Sequence, residues 1–326
     1  MITFKTNLAA AVTVALTLGA SAVMAEDWDM PMAYSATNFH SEMGVVFADK
    51  VREYTDGGIN ITVHPGGSLF KGGEIKRAIQ TGQVPIGERF MSAHANEAPL
   101  LGWDNLPFVA TTYEDNEKLW QAAKESVNAQ LSDLNLVALY TCPWPGQGFY
   151  FKKEVNSSAD TQGVKFRSYN TATATFAEAL GMVPVQVEAA ELSQALATGV
   201  AEAFISSGST GYDRKVWEQL SYYYKVNAWL PRNYVMVNKG VWDGLDDATK
   251  AGIQKAADET GAACAAKSEE LANWYFEQLE ANGMTVTDAS PEFLAELKAI
   301  GEKMTADWLA TTGDAGQAIL DAYHKM

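Results

Sequence analysis

Arg167 closes a short apolar run, Val164-Lys165-Phe166-Arg167, that reads as a strand. A charged side chain at such a place needs a partner. An arginine fork can hold a carboxylate through two parallel hydrogen bonds, fixing orientation as well as charge. Position alone leaves a solvated strand-end arginine, or one paired with a structural glutamate, equally open. A second cation, Arg89, follows Glu88. Arg89 could add an anion contact and move the choice to a dicarboxylate, or Glu88 could cancel it by pairing.

Catalytic patterns are absent elsewhere. His40, His64, His94 and His324 are scattered, with no HExxH or paired-ligand spacing, so no metal site and no cofactor are expected. Gly66 to Gly73 lacks the lysine spacing of a phosphate loop, and Gly146-Gln147-Gly148 lacks the third glycine of a dinucleotide fingerprint. Ser206-Ser207-Gly208-Ser209-Thr210-Gly211 is not a G-x-S-x-G elbow. The chain reads as a binder, not an enzyme.

The elements that must position these residues carry a repeat. Glu74, Ile75, Ala78, Ile79, Thr81 and Gly82 recur at an offset of 117 as Glu191, Leu192, Ala195, Leu196, Thr198 and Gly199. Each set describes a short amphipathic helix closed by glycine. Compact apolar runs follow, Val84 to Gly87 and Val200 to Ile205, which read as buried strands. A helix-strand unit used twice predicts two similar α/β lobes with a cleft between them. Ligands of open α/β sheets sit beyond the carboxyl ends of strands. Glu88-Arg89-Phe90 and Ser206-Ser207-Gly208 should therefore face each other there.

Strands alternating with helices elsewhere predict an α/β protein with mostly parallel pairing. A helix is expected from Asp246 to Ala281, and Ser290 with Pro291 should open a last one. Residues 1–25 read as a signal peptide: Lys5, an apolar stretch from Leu8 to Leu18, then Val23-Met24-Ala25 before Glu26. The rest should be exported to the periplasm and not be membrane-embedded. A formal net charge of −16 argues against nucleic-acid partners. Cys142 and Cys264 are the only cysteines. With one expected at a strand end and the other in a helix, they are expected not to pair.

Gly163-Val164-Lys165-Phe166-Arg167-Ser168-Tyr169-Asn170 resembles the solute-binding subunit of tripartite ATP-independent periplasmic (TRAP) transporters. Leu180-Gly181-Met182-Val183-Pro184, the segment Glu191 to Glu202, Leu106-Pro107-Phe108, Pro231 to Lys239 and the long helix after Trp242 extend the likeness over nearly the whole exported chain. The resemblance implies a two-lobed periplasmic-binding-protein-like fold with a ligand cleft and long C-terminal helices. Residues 26–144 with 234–273 would form one lobe, and 145–233 with 274–326 the other. It implies that Arg167 grips the ligand carboxylate and that Asn170 adds a hydrogen bond. Two departures stand out: Gln147 where many sugar-acid binders carry a second arginine, and Ser206 where an asparagine contact is usual. Both argue against a polyhydroxylated, sialic-acid-like ligand.

Around these positions cluster Trp144, Phe149, Tyr169, Tyr212 and Trp229, with Tyr34 and Phe90 expected on the first lobe. About half should line the cleft. An apolar box with one arginine and a few hydroxyl or amide donors suits a flat monocarboxylate. The expectation is an aromatic acid such as a benzoate, hydroxybenzoate or arylglyoxylate, with a C4-dicarboxylate or small hydroxy or keto acid as the alternative. The closed form would dock on the membrane permease subunits of the same system. A cleft hydrolase and a ligand-carrier for a receptor are the rival readings.

Overall fold

The computed structural model describes residues 25–326, so the expected leader falls outside the described residues except for Ala25. The first half of the chain runs β1 (Glu26–Pro31), α1 (Phe39–Tyr54), β2 (Ile59–His64), α2 (Gly72–Gln80), β3 (Ile86–Phe90), α3 (Tyr113–Asp133) and β4 (Leu136–Pro143). Alternation of Ile59, Ile61 and Val63 with polar residues produces β2, which pairs in parallel with β1. Over β3 lies α2. Its Ile75 and Ile79 come so close that a methyl group built at Gly87 would meet them at 3.1 and 3.0 Å. A larger side chain at 87 would therefore lift the helix off the strand.

The chain continues through β5 (Gly148–Phe151), β6 (Lys165–Ser168), α4 (Thr171–Ala179), β7 (Val183–Gln186), α5 (Leu192–Ala197), β8 (Ala203–Ser206), α6 (Gly208–Asp213) and β9 (Tyr222–Lys225). It returns as β10 (Arg232–Asn238), which inserts between β3 and β4 and thereby completes the first lobe. Next come α7 (Lys239–Gly244), the 35-residue α8 (Asp247–Ala281), β11 (Thr285–Asp288), α9 (Pro291–Thr312) and α10 (Asp314–Tyr323). Ser290 caps α9 by accepting from the Phe293 N–H at 3.0 Å, with Pro291 at its first turn, as the sequence predicts.

Two lobes result, one on the sheets β1-β2 and β3-β10-β4, the other on the six-stranded sheet β11-β9-β5-β8-β6-β7. The expectation of mostly parallel pairing is corrected: among the described residues four strand pairs are parallel and four antiparallel. The physical cause lies in β5 and β10. Each runs against both of its neighbours. Aromatic side chains fill the second lobe, with Phe149, Phe166, Phe176 and Phe293 all fully buried in one cluster. Fully burying a side chain of this kind stabilises by about 1.5–3 kcal/mol.

A second correction concerns the cysteines. Cys142, near the end of β4, and Cys264, within α8, form a disulfide with Cα atoms 5.6 Å apart. Both sit in the elements expected of them. What the sequence did not show is that α8 packs across β4 at that point. His40 lies close to both sulfurs, the only such metal-like grouping among the described residues, and the disulfide occupies the two thiols. Among the described residues, no helix is long and apolar enough to cross a membrane.

Candidate solute-binding site

The repeat places its two strands in register. β3 starts at Ile86 and β8 at Ala203, 117 residues apart, so Arg89 and Ser206 occupy equivalent positions. Both line one cavity at the junction of the lobes, together with Tyr34, Phe90, Ala93, Trp144, Gln147, Arg167, Tyr169, Glu188, Ala189, Thr210 and Pro231. Its volume is about 40 Å³, on a scale where one water needs roughly 10–15 Å³. The space suits a small solute held tightly.

The aromatic wall is fixed by hydrogen bonds behind it. Trp144 donates from Nε1 to Asn233 Oδ1 at 2.8 Å and meets Tyr34 edge-on at 4.7 Å between ring centroids. Tyr169 accepts from Trp229 Nε1 at 3.1 Å and donates its hydroxyl to Gln147 Oε1 at 3.3 Å. Burial raises the Tyr34 and Tyr169 hydroxyls above their ordinary range, so both stay neutral donors.

Arg167 is 2% exposed. Its Nε donates to the Val187 carbonyl at 2.8 Å, and its guanidinium carbon lies 5.2 Å from the Tyr169 ring centroid. Among the described residues neither Nη1 nor Nη2 makes a hydrogen bond to a protein acceptor. Burial pushes its pKa down to about 10, partly offset by Tyr169 and Glu188, which leaves it fully charged at neutral pH. Arg232 shows the contrasting, structural use of a buried arginine. Its three nitrogens reach Asn116, Thr141 and Glu117 at 2.8, 3.0 and 2.7 Å. A buried cation with two unmatched donors is costly unless an anion completes it.

Arg89 is already engaged. Nη2 and Nη1 donate to Glu188 Oε1 and Oε2 at 3.1 and 3.4 Å, and Nε donates to His94 Nε2 at 3.3 Å. Burial, with the charges of Arg89 and Lys76, pushes His94 down to about 4, so its ring is the neutral acceptor this bond requires. Glu188 belongs to the second lobe and Arg89 to the first. Other contacts that cross between lobes include Asn38 Nδ2 to Asp213 Oδ2 at 2.6 Å and Asn170 Nδ2 to Asn105 Oδ1 at 2.8 Å.

Tyr34, Arg89, Phe90, Trp144, Gln147, Arg167, Tyr169 and Ser206 are thus brought together from the sequence reading. The others lie elsewhere. Asn170 caps α4, its Oδ1 accepting from the Thr173 N–H, while Nδ2 turns to Asn105 and Ser92. Ser207 caps α6. Phe149 is fully buried and Trp229 nearly so, both in the second-lobe core. Tyr212 joins an aromatic group with Trp217, Trp274 and Tyr275. Glu88 points the opposite way from Arg89 along the strand, as alternation demands, and its Oε1 meets His40 Nδ1 at 3.0 Å. Glu188, Ala189, Thr210, Ala93 and Pro231 escaped the sequence reading. Glu188 carried a usable signal: it lies 117 residues after Lys71, just ahead of the second repeat helix.

The fold and cavity together define a two-lobed binding protein for a small anion. A model of the bacterial extracellular solute-binding protein family 7 matches residues 32–311, and the chain belongs to that family. The family binds solutes and is not enzymatic. A marine metagenome TRAP solute-binding protein specific for pyroglutamate, from an unidentified microbe of the Sorcerer II Global Ocean Sampling Expedition, is 81% identical. That match covers 93% of this chain and 99% of the other, with a TM-score of 0.92. A Bordetella pertussis extracytoplasmic solute receptor binding pyroglutamic acid is 41% identical, covering 92% and 100% of the two chains with a TM-score of 0.91. The C4-dicarboxylate-binding periplasmic protein DctP of Rhodobacter capsulatus is 28% identical over 222 residues, 66% of this chain. The matched region spans 65% of that relative's length.

Proposed function

We propose that this chain is the periplasmic solute-binding subunit of a TRAP transporter and captures pyroglutamate or a close cyclic monocarboxylate for delivery to membrane permease subunits. The observation that carries this reading is the buried Arg167 guanidinium, whose two terminal nitrogens lack protein acceptors at the edge of a small cavity. Charge supports a monoanion. Arg167 and Arg89 contribute two positive charges and Glu188 one negative, leaving one to be matched. A second carboxylate would have to displace Glu188.

A five-membered lactam ring fits the remaining demands. Its methylenes suit Tyr34, Phe90 and Trp144, and its carbonyl and N–H find donors and acceptors among Gln147, Ser206, Thr210 and the tyrosine hydroxyls. The ligand of the 81% identical relative supports the same choice. Benzoate, of similar size, would use the same arginine and wall but would leave the polar groups of Gln147, Ser206 and Thr210 without partners. Capture would proceed by differential affinity, because a solute bridging both lobes stabilises the closed arrangement over the open one.

A thermal-shift panel tests the ligand. L-Pyroglutamate at about 100 times its Kd should add roughly 2.7 kcal/mol of stability, while benzoate, 4-hydroxybenzoate and succinate should leave the melting temperature unmoved. A shift with benzoates alone would restore the aromatic reading. A shift with none of the acids would remove the cavity as an anion site.

A further inference from the structure

The geometry points to Glu188 as the residue that sets the charge of the accepted solute: by filling the Arg89 fork, it makes the cavity take monocarboxylates and refuse dicarboxylates. This rests on the cavity being the solute site. Glu188 is held on two sides. Its carboxylate faces Arg89 with both oxygens, at 3.1 and 3.4 Å. It also sits against the first turn of α2, where a methyl group built at Gly72 would come within 2.9 Å of Oε2 and 3.0 Å of Arg89 Nη1. A side chain at 72 would push against the Glu188 carboxylate and the Arg89 fork, and the partial positive charge of the helix start favours a carboxylate there.

The repeat shows how the device arises. Lys71 and Glu188 are equivalent positions, each preceding its repeat helix, and Arg89 is equivalent to Ser206. Two copies of one unit thus present an arginine from the first and a carboxylate from the second, on opposite sides of the junction. The ion pair that forms is internal to the protein, although both members line the cavity. Arg89 is 4% exposed and further fixed by His94, so it cannot swing away to leave Glu188 free. Arg167, with no acidic side chain hydrogen-bonded to it among the described residues, is left to the solute. A diacid would bring a second negative charge toward Glu188 and meet no unoccupied cation.

Isothermal titration of wild type and Glu188→Gln with L-pyroglutamate and with glutarate, a five-carbon diacid, tests this. Wild type should bind pyroglutamate tightly and glutarate far more weakly, the glutarate affinity being read by competition against pyroglutamate. In Glu188→Gln the ratio of affinities should shift by about tenfold or more toward glutarate, because the Arg89 fork is released. Glu188→Ala, smaller but equally uncharged, should move the ratio the same way, and a ligand-free melt of each variant checks folding. Equal weakening of both ligands would reduce Glu188 to an interlobe tie and overturn the proposal, as would a wild type that prefers glutarate. If wild type binds benzoate instead of pyroglutamate, the ligand reading fails separately. The filter is then read from benzoate against isophthalate, with the same shift expected and an unchanged ratio again fatal.

Discussion

Arg167 and Arg89 enter the same cavity from different lobes, both almost fully buried, yet the protein treats them differently. Arg89 meets a neutral imidazole on one nitrogen and a carboxylate across the other two. Arg167 meets a single backbone carbonyl, with its terminal nitrogens unmatched. One arginine is therefore part of the closed architecture, while the other keeps donors that the proposed solute would complete. Burial alone does not reveal a binding residue. The unmatched donors of a buried charge are what single out Arg167 for the proposed role.

The sharpest way to break this contrast is truncation. Arg167→Ala should cost about 2–5 kcal/mol of solute binding, the range found when one member of a buried charge pair is removed, as read by titration calorimetry. Equal losses at Arg89→Ala would erase the distinction.

The Arg89 side carries its own pH signature. His94 has a pKa near 4 in the folded protein, below its unfolded value of about 6.5. The unfolded chain therefore binds the proton more readily, and stability should fall as pH drops from about 6.5 to about 4. The loss from this group amounts to about 3 kcal/mol at most. Denaturant melts across that range should show the slope in wild type and a shallower one in His94→Gln, which keeps an acceptor for Arg89 Nε. Parallel slopes would mean that His94 does not supply the effect.

Arg89→Ala itself should weaken pyroglutamate by only about 1–2 kcal/mol. Glu188 is partly exposed and can be solvated once its partner is gone, although the cavity then loses a positive charge. Smallest of all is Asn170→Ala. It removes a helix cap, worth about 1 kcal/mol, and a tie between lobes, so it should lower the melting temperature more than it alters affinity. A large selective affinity loss would return Asn170 to the solute-contacting set.

Much of the fold was legible because periodicity and caps are local. The helix-strand unit of residues 74–90 and 191–207, the Ser290-Pro291 start and the long helix from 247 to 281 follow from side-chain spacing alone. Strand direction was not legible, since β5 and β10 look like other apolar segments and only their neighbours decide how they run. The aromatic box was half legible for the same reason. Tyr169 and Trp229 are hydrogen-bonded to each other, but one faces the cavity while the other stands behind it as the donor.

By itself the amino-acid sequence determined the repeated unit, an arginine at a strand end and the absence of catalytic or metal-binding patterns. Tertiary structure alone decided which arginine is matched, because Glu188 lies 99 residues from Arg89 and meets it only where the lobes close. The Cys142–Cys264 bond, spanning 122 residues, was decided the same way. Local spacing encodes what a segment can become, whereas the pairing of charges and sulfurs depends on distances that exist only after the chain has packed.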